Sequence, residues 1–254
     1  MDDAAAELWS AAAADWARYW GDLAAPAQRA LVTAMDIRPG LRVLDVGCGS
    51  GEFVQLLHTL GAEASGADPA PGMLAVARAR LGVGVDARLR LGNAEALPWP
   101  DASFDAVTAV NALQFADDPL AALAEFRRVA VPAGVIGIAN WAEGSRNDLE
   151  VVEAAVAEAD GEDLRPDGEL RRAGGLEELL AIAGLELVAA GLVETPWEVL
   201  DEEALVRGVL FGEEPSVIAD LRPVVLAAAS RFRTGRGAYR LSNWFRFAVG
   251  RIPG

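Results

Sequence analysis

The chain has 254 residues, and its 22 basic against 38 acidic side chains leave a formal charge of −16 at pH 7. All the basic residues are arginine; no lysine occurs, and histidine (His58) and cysteine (Cys48) occur once each. Schiff-base catalysis and the lysine-bearing phosphate loop of the P-loop NTPases therefore drop out. So do zinc centres assembled from several His and Cys ligands and any disulfide within the chain.

The acidic balance argues against nucleic acid as a partner, since affinity for a polyphosphate comes largely from Lys and Arg. The most basic stretch, RFRTGRGAYR from Arg231 to Arg240, reads as a loop of solvated arginines facing an acidic body. With an acidic opening, MDDAAAELW, and no run approaching the roughly 18 apolar residues of a membrane span, a cytoplasmic protein without a membrane partner is expected. Hydrophobic content of 52% allows one sizeable core with an accessory element, or two small domains.

In chain order, Trp9, Ala12, Ala13, Trp16, Tyr19, Trp20 and Leu23 fall at helical spacing over 8–23, and a second helix is predicted over 27–35. Arg38-Pro39-Gly40 marks a turn. A strand over 42–46 then runs through glycines into a helix carrying Phe53, Leu56, Leu57 and Leu60. The alternation repeats, with strands over 63–67, 87–91, 104–110 and 135–140 and helices over 71–81 and 120–129. Such alternation predicts right-handed crossovers in a largely parallel sheet, an α/β fold. A polar segment holds a helix capped by Asp148 and running to Ala159, and the rhythm resumes with a helix over 176–183 and a strand over 186–190. Residues 196–231 read as mostly helical, and 243–252 as a last strand.

The strongest chemical signal is Val43-Leu44-Asp45-Val46-Gly47-Cys48-Gly49-Ser50-Gly51. Glycines between a strand and a helix let the backbone approach a ligand and aim the helix's first amides at it. A dinucleotide fingerprint needs G-x-G-x-x-G, but its third glycine falls on Glu52; the spacing here is G-x-G-x-G, with the carboxylate of Asp45 two residues ahead. A negative charge at that turn suits a cationic ligand better than a pyrophosphate. Asp68 ends the second strand, placed to accept hydrogen bonds from ribose hydroxyls. The next strand ends in Gly92-Asn93-Ala94-Glu95-Ala96-Leu97-Pro98-Trp99-Pro100, polar groups beside apolar ones that could read and sandwich a purine. Each carboxylate alone reads as a cap or a solvated loop. Three such features at successive strand ends of one sheet point to a ligand site.

With these motifs, and with NALQFADDPLAALAEFRRVAVPAGVIGI over 111–138, the chain resembles the class I S-adenosylmethionine-dependent methyltransferases, in particular their small-molecule branch. The resemblance implies a Rossmann-like seven-stranded, mostly parallel sheet with helices on both faces and its last strand antiparallel. It implies S-adenosyl-L-methionine as cofactor and S-adenosyl-L-homocysteine as product. Carried over by position, Gly47, Cys48, Gly49 and Gly51 lie along the methionine part, and Asp45 holds the loop and the amino group. Asp68 takes the ribose, Pro69 and Met73 flank the adenine, Asn93, Ala94 and Glu95 meet its edge, and Asn111 lies beneath the sulfonium. Many relatives carry Asp where this chain has Asn93, whose amide both donates and accepts. In similar enzymes N-terminal helices cover the cofactor, so Tyr19 and Trp20 are expected to line the chamber. One domain over 1–254 follows: a helical lid over 1–35, a cofactor-binding core over 36–140, and insertions over 141–175 and 196–240 capping the acceptor side.

After the fourth strand the chain reads Asn111-Ala112-Leu113-Gln114 rather than the Asn/Asp-Pro-Pro-aromatic motif of base and amide N-methylases. A small-molecule acceptor, such as a secondary metabolite, is therefore expected. Trp141 and Phe211 are candidates for its apolar pocket, and Tyr19, Gln114 and Tyr239 for the polar groups in it; no catalytic residue is identified, Tyr19 and Gln114 being the candidates. His58 reads as a surface residue, and Asp117-Asp118-Pro119 as a helix entry, with no metal site. Methyl transfer can proceed mainly by positioning in a dry site. The missing base keeps a cyclase or a cofactor-binding module without methyl transfer open as alternatives. A nicotinamide oxidoreductase conflicts with the glycine spacing. Either a monomer or a homodimer is compatible with the sequence.

Overall fold

The computed structural model describes residues 3–82, 88–164 and 166–254. Helices α1 (Asp3–Tyr19) and α2 (Ala25–Ala34) lead into β1 (Arg42–Val46), α3 (Glu52–Thr59), β2 (Glu63–Asp68), α4 (Pro71–Leu81) and β3 (Arg88–Leu91). Then come β4 (Phe104–Val110), α5 (Pro119–Val129), β5 (Ala130–Trp141), α6 (Asp148–Asp160) and α7 (Gly175–Ile182). The chain closes with β6 (Glu186–Glu194), β7 (Trp197–Val199), α8 (Glu202–Val209), α9 (Pro215–Ala229), β8 (Tyr239–Leu241) and β9 (Trp244–Arg251). Ala87, the first residue of the strand predicted over 87–91, lies outside the described residues.

Seven strands form one sheet in the order β3-β2-β1-β4-β5-β9-β6. The pairs from β3 through β5 are parallel, and β9 runs antiparallel to both β5 and β6. The α/β architecture expected from the alternating pattern is present, and so is the antiparallel final strand that the resemblance implies. Strand order reverses between β1 and β4, and a doubly wound sheet opens a crevice at the carboxyl ends of its strands at that point.

Local chemistry explains the elements around this crevice. In β1 all residues after Arg42 are buried, as a strand covered by helices on both faces requires. Asp118 caps α5 by accepting from the Leu120 and Ala121 amides at 2.9 and 3.2 Å, and Pro119 takes the first helical position. The helix then buries Ala122, Leu123, Phe126 and Val129 against one sheet face. Phe126 is fully buried, worth about 3 kcal/mol of apolar transfer. On the opposite face α2 and α3 bury Leu31, Phe53, Val54 and Leu57. His58 is exposed on the outer side of α3.

Two details differ from the sequence reading. Asp148 does not cap α6; its carboxylate accepts from the Ser242 amide at 2.8 Å, while Asn243 Oδ1 accepts from the Leu149 amide at 3.1 Å. The start of α6 is thus stitched to the segment entering β9. The span 196–231 is not all helix, because β7 pairs with β8, Trp197 opposite Leu241 and Val199 opposite Tyr239. Among the described residues no helix is long and apolar enough to cross a membrane.

Candidate active site

The crevice encloses about 1110 Å³ of space, its open mouth included. Its floor is the turn from β1 into α3. Gly47 adopts φ 70°, and a Cβ there would sit 2.3 Å from the Ala112 Cβ, so the loops after β1 and β4 meet only because this residue has no side chain. Gly49, at φ 52°, faces the open cavity, with the Trp16 indole nitrogen 3.7 Å from where its Cβ would project. A side chain at this position would fill the cradle. Gly51 is turned the other way, against Ala77 of α4, and caps α3.

Two carboxylates flank the loop. Asp45 is 3% exposed, with the Thr108 hydroxyl donating to its Oδ1 at 2.8 Å. Burial pushes its carboxyl up to about 7; the Thr108 bond opposes this, and the nearby Asp68 and Glu52 charges add to it. Asp68 accepts from the Gly49 and Ala70 amides, both at 2.9 Å. Burial raises its pKa while those two bonds hold it back. A third carboxylate, Glu52, accepts from Arg80 Nη2 and from Ser50 Oγ, each at 2.6 Å. Burial pushes the Cys48 thiol up, and its sulfur packs so closely that a Cβ on Gly66 would lie 2.8 Å away. Cys48 is therefore a packed neutral wall.

Beyond Asp68 the lining continues through Pro69, Met73, Gly92, Asn93 and Ala94, a slot of apolar atoms with one amide. Glu95 is not part of it: its Oε1 accepts from the Asp118 amide at 3.0 Å, tying this loop to the start of α5. At the other end, Asn111 lines the cavity at φ 52°, and Gln114 Nε2 donates to its Oδ1 at 2.8 Å. Gln114 is exposed and outside the lining, so it orients Asn111 rather than facing the chamber.

Helix α1 forms the roof. It crosses α4 at Gly72, where a Cβ would strike the Ser10 carbonyl oxygen at 2.3 Å, and the Gly72 amide donates to Ser10 Oγ at 3.2 Å. Trp9, Trp16 and Trp20 all face the cavity. Trp9 meets Trp16 edge-on at 5.1 Å and Phe115 at 5.4 Å. Trp20 stacks on Trp197 of β7 at 4.4 Å and 10°, donates to the Gly208 carbonyl at 3.1 Å, and thereby pins the roof to the C-terminal segment.

The aromatic candidates divide accordingly. Trp20 lines the cavity, whereas the Tyr19 ring lies beneath the Arg18 guanidinium, outside it. Phe211 stands behind the roof, 5.9 Å from both Trp9 and Trp16. Trp141 backs Trp20 at 6.5 Å and Phe245 at 4.9 Å. Tyr239 is buried in β8 opposite Val199, remote from the lining. The structure thus brings Trp20, Asp45, Gly47, Cys48, Gly49, Asp68, Pro69, Met73, Asn93, Ala94 and Asn111 around one cavity. It leaves Tyr19, Gly51, Glu95, Gln114, Trp141, Phe211 and Tyr239 outside that lining. Sequence reasoning overlooked Trp9, Gln28 and Phe115 as lining residues; the shared helical face of Trp9, Trp16 and Trp20 was the signal for the first.

The residues present fit an S-adenosylmethionine-sized group: an open glycine cradle, a buried carboxylate on either side of it, and an apolar slot beyond Asp68. Residues 44–138 match a methyltransferase domain family. An uncharacterized protein of Mycobacterium tuberculosis is 37% identical over 135 residues, covering 53% of this chain and 48% of its own length. The malonyl-[acyl-carrier protein] O-methyltransferase of Serratia marcescens is 40% identical over 111 residues, 44% of this chain and 42% of that one. This chain thus spans about half the length of the curated relatives it matches. Among solved structures, the Haloferax volcanii protein in complex with the Trm112 methyltransferase activator superposes with a TM-score of 0.61 at 25% identity, covering 97% of this chain and 98% of that one. By motif, by sheet topology and by these likenesses, the chain carries a methyltransferase domain of the class I, S-adenosylmethionine-dependent type.

Proposed function

We propose that the chain transfers a methyl group from S-adenosylmethionine to a small-molecule acceptor, a secondary metabolite in its natural setting. The observation that carries this is the pair of buried carboxylates, Asp45 and Asp68, on either side of a glycine loop at the switch point of the sheet. In this reading Asp45 and the loop amides receive the amino-acid end, Asp68 the ribose, and Pro69, Met73, Asn93 and Ala94 the adenine. Asn111 stands at the sulfonium. When bound, the cofactor supplies an electrophilic methyl whose bonding pair stays with sulfur as an acceptor lone pair displaces it.

The chain's own residues act by holding and drying the site. Helices α1 and α2 serve as the lid over 1–35, the core over 36–140 holds the cofactor, and the segments 141–175 and 196–240 cap the acceptor side. Trp9, Trp16 and Trp20 exclude water, and fixing two reactants at attack distance can replace the equivalent of about 7–11 kcal/mol of barrier. No histidine, lysine or tyrosine of the described residues lines the cavity. The lining carboxylates are engaged in this reading, Asp45 and Asp68 with the cofactor and Glu52 with Arg80, so a proton on the acceptor leaves to solvent. The charge of −16 supports a small-molecule acceptor over nucleic acid, and a cytoplasmic monomer or homodimer suits a chain with one buried thiol.

Calorimetric titration with S-adenosylhomocysteine and with NAD tests the cofactor; tight binding of the first alone is expected. Incubation with labelled S-adenosylmethionine and natural-product acceptors should yield a product heavier by one CH₂. A product of unchanged mass would replace methyl transfer by cyclisation, the alternative favoured by the missing base.

A further inference from the structure

The proposed site has a second property, the sign of its charge. Its charged lining groups are the carboxylates Asp45, Asp68 and Glu52, and among the described residues no arginine or histidine joins them. This occurs in a chain with 22 arginines. The arginine next to the cavity, Arg80, is held outside it by Glu52 at 2.6 Å and by the Ser50 carbonyl at 2.9 Å. Arg18, on the roof helix, lies over the Tyr19 ring. An anionic acceptor would therefore lose its hydration among carboxylates and aromatic rings with no side-chain cation to meet it.

The aromatic groups complete the picture. Beyond Asn111 the lining is Trp9, Trp16, Leu113 and Phe115, with Phe245 deeper. Trp9 touches Trp16 and Phe115 edge-on, so its ring stands between two others and the space beside it favours a flat, apolar guest. Phe115, 40% exposed, sits at the mouth.

Resting on the methyltransferase reading, we infer that the acceptor is a planar, apolar molecule that is uncharged at the end it buries, and that carboxylates and phosphates are excluded. Such an acceptor gains most where the reaction needs it. As its lone pair bonds to the methyl carbon, the heteroatom becomes positive until its proton departs to water. The positive charge passes from the sulfonium to that heteroatom as the carbon–sulfur pair stays with sulfur, and the indole faces of Trp9 and Trp16 are placed to stabilise it there.

The test is a matched pair titrated into the full chain saturated with S-adenosylhomocysteine: 2-naphthamide and 2-naphthoate, alike in shape and different in charge. At neutral pH the amide is expected to bind at least about tenfold more tightly. Phe115→Arg, which adds a cation at the exposed mouth, is expected to reverse that order. Equal or tighter binding of naphthoate to the unaltered chain would overturn the inference, and so would failure of both probes while the homocysteine product binds. Failure of S-adenosylhomocysteine itself to bind is a separate result: it would overturn the methyltransferase reading and this inference with it.

Discussion

Asp45→Asn isolates the energetic consequence of burying a carboxylate at the floor of the proposed cofactor site. An unfolded aspartate titrates near about 3.9, whereas burial holds Asp45 at about 7 in the folded chain. Between those values the native state keeps a proton that the unfolded chain has released. Its contribution is therefore fully favourable below about pH 4 and is lost as pH rises through about 7. From about pH 5 to about pH 8 the loss is on the order of 3 kcal/mol. Asparagine cannot ionise, and its Oδ1 still accepts the Thr108 hydroxyl that now donates at 2.8 Å. The variant should therefore gain on the parent by about 3 kcal/mol across that interval, a Tm difference growing by about 6–12 °C for a chain of this size. Thermal melts of both proteins at both pH values measure it. A Tm difference that stays constant between the two conditions would refute the reasoning. The same variant should bind S-adenosylhomocysteine at least about tenfold more weakly, a stability gain made at the expense of the ligand.

Asp68→Ala leaves the Gly49 and Ala70 amides without their acceptor and removes the proposed ribose contact. Calorimetry should show Kd for S-adenosylhomocysteine raised by about 100-fold, and a change below about twofold would remove Asp68 from the site. Gly72→Ala drives a Cβ to 2.3 Å from a backbone oxygen of α1, so the roof helix must lift, at a cost of about 1–3 kcal/mol; faster amide exchange across α1 alone is the signature, and unchanged protection there contradicts it. Trp197→Ala removes the stack on Trp20 and the hydrogen bond to the Tyr19 carbonyl. It should cost about 3–5 kcal/mol in denaturant unfolding, and a loss under about 1 kcal/mol would mean the roof is held elsewhere.

What the sequence disclosed follows from how local each feature is. Asp45, Gly47, Gly49 and Asp68 are legible because a turn from a buried strand into a helix demands glycine and leaves little reason for a carboxylate other than a ligand. Trp9, Trp16 and Trp20 share a face by simple periodicity. The pairing of β7 with β8 is different: Trp197 and Val199 find Leu241 and Tyr239 across two intervening helices, and three-residue strands carry too little alternation to announce themselves. Gln114 and Glu95 were read from their neighbours in sequence, but their side chains were already engaged, one with Asn111 and one with the Asp118 amide. Tyr239, chosen for its hydroxyl, is held in β8 by register. In each case a nonlocal partner decided the direction of the side chain.

The link between Trp197 and the first helix sets an order of events during synthesis. The Trp197 indole donates to the carbonyl of Tyr19, 178 residues earlier. At about 5–20 residues per second, α1 waits roughly 10–35 s for that partner to be made. Throughout that interval Trp20, just past α1, lacks the indole it stacks on, while Trp9 and Trp16 already have α4 to pack against. The roof is thus completed only by a segment 178 residues further along, and termination before residue 197 leaves the Trp20 ring without its stacking partner.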